Sequence, residues 1–102
     1  MPDSESPDSE SYVLILHEVD DYAAWKAVFD AAAGLRKAAG ELSFHVLSAD
    51  SDANQVAHIS RWRSLDDARR FFESPEVAQI RRQAGVRAPR FIYLDERDRG
   101  DL

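Results

Sequence analysis

The stretch Leu42 to Trp62 limits this chain most, because it reads as two strands joined by a short acidic turn. Leu42-Ser43-Phe44-His45-Val46-Leu47-Ser48 and Gln55-Val56-Ala57-His58-Ile59-Ser60-Arg61-Trp62 are rich in β-branched, aromatic and long apolar residues. Ala49-Asp50-Ser51-Asp52-Ala53-Asn54 separates them with turn-forming residues, and the pattern predicts a hairpin. A symmetric loop over these residues pairs Ser48 with Gln55, Leu47 with Val56 and His45 with His58. Side chains alternate between the faces of a strand. This register therefore turns Leu42, Phe44, Val46, Ala57 and Ile59 toward covering helices. The opposite face carries Ser43, His45, Leu47, Val56, His58, Ser60 and Trp62, apolar walls with a few polar groups, as in a cavity lining. A slip of one residue would separate His45 from His58.

The rest of the chain supplies partners for the hairpin. Tyr12 to Val19 is apolar on both faces and reads as a central strand. Asp20 is expected to cap a helix over Asp21–Ala39, striped by Tyr22, Trp25, Val28, Phe29, Ala32 and Leu35 and ended by Gly40. Ser64-Leu65-Asp66-Asp67 resembles a capping box opening a helix over Leu65–Glu73. Ser74-Pro75 starts another over Pro75–Ala84, and Gly85 stops it. Arg87 to Arg90 reads as a connector and Phe91 to Glu96 as the last strand. Residues 1–11 are expected to be a disordered acidic tail, 12–96 the domain and 97–102 a charged, frayed tail. This order predicts an α+β, ferredoxin-like split βαβ fold: a four-stranded antiparallel sheet, order 4-1-3-2, with helices on one face. The uncovered face would show Val13, Ile15, Leu47, Val56 and Trp62, too apolar to stay in water.

Composition narrows the function. A chain of 102 residues forms one domain. A net charge of −6 argues against affinity for nucleic acid or anionic membranes. The absence of cysteine rules out thiolate metal sites and cysteine nucleophiles. No apolar run approaches the roughly 20 residues of a membrane span, and the N-terminus lacks a hydrophobic leader, so a cytoplasmic location is expected.

The three histidines are the sharpest chemical feature. His17 alternates with Val13 and Ile15, while Tyr12, Leu14 and Leu16 form the more uniformly apolar, helix-facing side. His17, His45 and His58 are then expected to converge on one cavity. They would serve as separately hydrogen-bonded wall residues, as acid–base groups or as ligands of a divalent metal. Trp62 and Tyr93 could stack on a flat ligand, or be ordinary core or interface aromatics. Trp25 and Phe29 belong to the helix core and could form a pocket wall. Arg36, Arg61 and Arg63 could meet an anionic substrate or a carboxylate. Arg69, Arg70, Arg81 and Arg82, with Glu73 and Glu76, read as the solvated side of two helices.

Three segments carry a resemblance: Val19-Asp20-Asp21-Tyr22-Ala23-Ala24-Trp25-Lys26-Ala27-Val28-Phe29, Ser60-Arg61-Trp62-Arg63-Ser64-Leu65-Asp66-Asp67-Ala68, and Phe71-Phe72-Glu73-Ser74-Pro75. Over residues 12–96 the chain resembles the dimeric α+β-barrel superfamily, and within it the antibiotic-biosynthesis-monooxygenase-like or "cyclase" proteins. The resemblance implies a homodimer whose second sheet covers the first, and a small-molecule pocket between sheet and helices or inside the barrel. It also implies cofactor-independent oxygenation, cyclisation or isomerisation of an aromatic or polyketide-like compound; alternatively, a non-catalytic ligand-binding or assembly protein. Trp62 matches a tryptophan common in the monooxygenase-like group. The Asn–Trp–His set of the haem degraders is not evident, since Asn54 is the only asparagine and is expected in the turn. A cavity of ~300 Å³ or more would favour an enzyme or carrier, and a packed interior a structural protein.

Overall fold

The computed structural model describes residues 10–102; the acidic tail expected over 1–11 lies outside the described residues as far as residue 9. Eight elements follow in order: β1 Ser11–Val19, α1 Tyr22–Ala31, α2 Ala33–Ala39, β2 Glu41–Ala49, β3 Asp52–Trp62, α3 Leu65–Phe72, α4 Pro75–Gln83 and β4 Val86–Asp95. The strands form one antiparallel sheet ordered β2-β3-β1-β4, the expected ferredoxin-like arrangement.

Local sequence explains most boundaries. Asp21, rather than Asp20, caps α1 by accepting from the Ala24 N–H at 2.9 Å. Ser64 accepts from Asp67 N at 3.0 Å, and Ser74 from Val77 N at 3.2 Å ahead of Pro75. The single helix expected over 21–39 breaks at Ala32. A guanidinium causes the break: Arg36 Nη1 donates to the Phe29 carbonyl, and a side chain inserted into the helical ladder bends the backbone.

The hairpin does not take the symmetric loop. Its turn is Asp50-Ser51, with Ala49 opposite Asp52, and an irregularity over Ala53–Gln55 shifts the register beyond it. Val46 consequently faces His58, and His45 faces Ile59. Asn54 lies in β3 and not in the turn, and it drives the shift. Its N–H bonds Asp52 Oδ1 at 2.9 Å, and its side chain accepts from Tyr22 N at 2.9 Å and donates to the Asp20 carbonyl at 3.3 Å. Anchoring α1 with this side chain outweighs even pairing near the turn.

The faces of β1 and β3 are also reversed from expectation: Val56, His58, Ser60 and Trp62 turn under the helices, and Ala57 and Ile59 away from them. Val13, Ile15 and Val19 are buried under the helices with His17, whereas Tyr12, Leu14 and Leu16 are only half-buried. A strand apolar on both sides carries no mark of which side goes in. Pairing decides it: Val13 lies beside Ser60 and Tyr93, and Ile15 beside His58 and Phe91. One core cluster joins Val13, Ile15, Trp62, Ala68 and Phe72, and a second joins Val19, Trp25, Phe29 and Val56. The opposite face carries Tyr12, Leu14, Leu16, His45, Leu47, Ala57, Ile59, Ile92 and Leu94, with Leu47 and Leu94 well exposed. Among the described residues no element covers it.

Gly40 ends α2 at φ 125°, where a Cβ would meet Asp67 and the Arg63 guanidinium at 3.4 Å. Gly34 sits inside α2 with nothing within 4 Å of its would-be Cβ. Gly34→Ala should therefore stabilise the protein by about 0.5–1 kcal/mol. Gly40→Ala should destabilise it by about 1–2 kcal/mol. Urea unfolding of both variants checks this, and a shift of the same sign for both would contradict it.

Candidate active site

The cavity lies between sheet and helices, where the two core clusters meet. Ile15, Phe72, Trp25, Phe29, His17 and His58 line its inner walls, with Arg36 from α2 and Arg81 from α4. Its volume is about 80 Å³. Outside it, a groove of about 550 Å³ runs between α2, α3 and α4 and shares Leu35, Phe71, Val77 and Ile80 with the inner space. The inner cavity falls short of the ~300 Å³ that accommodates a typical small-molecule ligand.

His17 and His58 sit on adjacent strands and share the buried face. His17 lies opposite Val56, two residues from His58. Its ring packs against Trp25 with centroids 5.3 Å apart, and neither ring nitrogen has a hydrogen-bond partner among the described residues. On its other side, β4 bulges: Leu16 pairs with Arg90 and Glu18 with Arg87, so Ala88 and Pro89 pass His17 without pairing to it. Proline lacks the N–H a ladder needs, and bulges of this kind open space beside sites. Burial, then repulsion from His58 and Arg81, lowers the His17 pKa from 6.5 to about 4.

His58 is held differently. Its Nε2 lies 3.0 Å from Glu41 Oε2, and Arg36 Nε donates to Glu41 Oε1 at 2.6 Å. All three side chains are at least nine-tenths buried. Burial opposes the charge on Glu41, but hydrogen bonding and attraction from His58, and then from Arg36, hold its carboxyl below the usual glutamate range. The Arg36 guanidinium stacks over the Phe29 ring at 3.6 Å, and Phe29 meets His58 edge-on at 4.9 Å. The site is therefore a neutral, unpartnered imidazole beside an imidazole tied to a carboxylate.

The expected site residues divide. His17, His58, Trp25 and Phe29 line the cavity, but the two histidines do so from the helix side of the sheet and not from the uncovered face on which they were expected. His45 does not: it stays on the uncovered face expected for all three, exposed on edge strand β2, while the register shift separates it from His58. The three imidazoles therefore do not converge, and the metal set His17, His45 and His58 is not assembled. Among the described residues no group of three His, Cys, Asp or Glu side chains is placed to hold a metal ion. Trp62 is fully buried against Phe71 and Phe72, donates Nε1–H to Ser60 Oγ at 2.8 Å and is absent from the cavity wall. Tyr93 lies on the helix side of β4 outside the wall, with the Arg69 guanidinium 4.7 Å from its ring. Burial, then Glu73, raises its pKa against the pull of Arg69 and Arg81.

Sequence reasoning missed Glu41 and Arg81. Glu41 follows the helix-ending Gly40 at a strand start, five residues after Arg36. Strand alternation groups it with Ser43, His45 and Leu47, and only the irregularity between Glu41 and Ser43 turns it to the helix side, so no local signal marked it. Arg81 leaves the polar side of α4 to line the cavity, with Nη1 donating to the Phe72 carbonyl at 3.0 Å. Of the arginines expected to meet carboxylates, Arg36 meets Glu41, Arg61 meets Glu10 and Arg63 meets Asp67.

The His17 shift has a direct consequence for stability. Between pH 6.5 and about 4 the unfolded chain binds a proton at His17 that the folded chain does not. The contribution of a neutral His17 is complete above pH 6.5 and is lost as pH falls toward 4, by about 3 kcal/mol in all. A His17→Leu variant should show a flatter fall in urea midpoint than the wild type over that window. Parallel profiles would contradict the assignment.

The fold recurs among solved structures. SnoaB, a cofactor-independent oxygenase from Streptomyces nogalater, aligns with TM-score 0.70 at 18% identity over 90% of this chain and 96% of its own. The ActVA-Orf6 monooxygenase of Streptomyces coelicolor, in complex with Nanaomycin D, aligns with TM-score 0.64 at 20% identity over 97% and 99%. Rv0793 from Mycobacterium tuberculosis aligns with TM-score 0.62 at 19% identity over 92% and 100%. At these identities the likeness is one of fold. No curated protein matches the chain. The family model described as antibiotic biosynthesis monooxygenase matches residues 8–83, well over half of the sequence, and the chain belongs to that family.

Proposed function

We propose that this protein is a cofactor-independent oxygenase, or a cyclase or isomerase of the same build, acting on an aromatic, polyketide-like small molecule. One observation carries the reading: an aromatic-walled cavity contains two imidazoles in unlike states, one neutral and free, one tied to a carboxylate. Two titratable groups held in unlike surroundings are the usual mark of divided acid–base labour. His58 takes the substrate hydroxyl proton, and the electron-rich anion that results can give electrons to dioxygen without a resident cofactor. When a ring methylene is oxidised to a carbonyl, one oxygen atom enters the product and the other leaves as water with the two hydrogens of that carbon. His17, neutral throughout the physiological range, hydrogen-bonds the substrate oxygen and orients it. Trp25 and Phe29 face the ring.

The outer groove takes the bulk of the substrate and the inner cavity its reacting edge. α4 has no fully buried side chain, so it is the wall that costs least to displace. The small inner volume supports a second reading, a binding or assembly protein that does no chemistry.

Dithranol, an electron-rich dihydroxyanthrone, separates the two. Oxygen uptake should exceed the uncatalysed rate, and His58→Ala should reduce it by about 10²–10⁴-fold while the circular dichroism spectrum is kept. His45→Ala should leave turnover unchanged. Binding of dithranol without oxygen uptake by the wild type would favour the second reading.

The uncovered apolar face of the sheet supports a homodimer in which a second copy closes a barrel. Sedimentation velocity should show a dimer, and Leu14→Lys should shift it to the monomer. A monomeric wild type at micromolar concentration would sink the proposal.

A further inference from the structure

The buried Arg36–Glu41–His58 chain does more than hold strands together. Glu41 opens β2 immediately after the Gly40 turn, Arg36 comes from the last turn of α2, and His58 lies in mid-β3. Both carboxylate oxygens of Glu41 are engaged, Oε1 by Arg36 Nε at 2.6 Å and Oε2 by His58 Nε2 at 3.0 Å. Arg36 cannot lose its proton, and its Nη1 is spent on the Phe29 carbonyl. An ionised carboxylate only accepts. The proton in the Glu41–His58 contact therefore sits on Nε2, and the single ring atom left to accept another is Nδ1. Such an ion pair is an expensive way to hold a core together, since apolar residues of similar size often serve as well. Its placement behind the one cavity-lining histidine with a partner is what calls for explanation.

We propose that Glu41, braced by Arg36, is a positioning residue that locks His58 in the Nε2–H tautomer and so presents Nδ1 as the proton acceptor of the site. In the productive step the substrate O–H bond breaks and an Nδ1–H bond forms. The resulting imidazolium is stabilised by the Glu41 carboxylate behind it, which stays ionised throughout. His17 has no such backing and stays neutral, so the two rings do not compete for the proton. The tautomer follows from the contacts alone, whereas its effect on rate rests on the oxygenase reading above.

Long-range ¹H–¹⁵N correlation spectra of the uniformly ¹⁵N-labelled protein, recorded at mildly alkaline pH without ligand, test the first part. His58 should show a protonated Nε2 and an unprotonated Nδ1. In Glu41→Gln the amide can turn either its oxygen or its nitrogen to the ring, so the two tautomers should mix. Glu41→Asp should restore much of the wild-type form. Dithranol turnover should fall by about 10–100-fold in Glu41→Gln, in kcat and with little change in KM, and recover in part in Glu41→Asp. A wild-type His58 found as the Nδ1–H tautomer, or as a mixture, would overturn the proposal, and this measurement needs no variant to fold. An unchanged tautomer and unchanged turnover in Glu41→Gln would overturn it as well. The expected tautomer in a wild type that consumes no oxygen supports the positioning and counts against the oxygenase reading instead.

Discussion

In a sheet covered by helices on one side, each strand has only one parity that can face the core, and everything about this site depends on that parity. Trp62 sets it for β3, because a fully buried indole between Phe71 and Phe72 can lie only on the helix side. Ser60, His58 and Val56 follow inward at alternate positions. Pairing passes the choice to β1, which turns Val13, Ile15 and His17 the same way, and then to β4 through Tyr93 and Phe91. A single physical commitment, one large aromatic with no room elsewhere, places two histidines under the helices, and the hairpin's register shift leaves the third outside.

The polar groups on this buried side are linked rather than scattered. Arg36 breaks the first helical run at Ala32 by reaching the Phe29 carbonyl, and the same guanidinium neutralises Glu41. Glu41 in turn holds His58. Leaving any one of these unpaired in an apolar interior would cost several kcal/mol, so the group behaves as a unit. The helix break, which looks like a flaw in α1–α2, is the geometric condition for the contact that prepares His58. His17 is the counter-example. Its ring nitrogens are buried beside a bulge and have no hydrogen-bond partner among the described residues, so it stands outside this linked group.

The four-stranded order, the hairpin itself, the caps at Ser64 and Ser74 and the stop at Gly40 follow from local chemistry: turn formers, hydroxyl caps, a glycine past a helix end, and apolar periodicity. So do Trp25 and Phe29, as members of the buried stripe of the first helix. Those features need only neighbouring residues to specify them, and the sequence by itself determined them. Which face of β1 turns inward, where His45 goes and what Glu41 touches were decided only in three dimensions. The first depends on the strands alongside, because β1 is apolar on both sides. The second depends on a one-residue shift that arises when Asn54 leaves the turn to anchor α1, a contact 32 residues away in sequence. The third depends on a helix end, a strand start and a distant strand meeting in one buried place. Parity and long-range pairing are properties of the assembled sheet, and no single segment carries them.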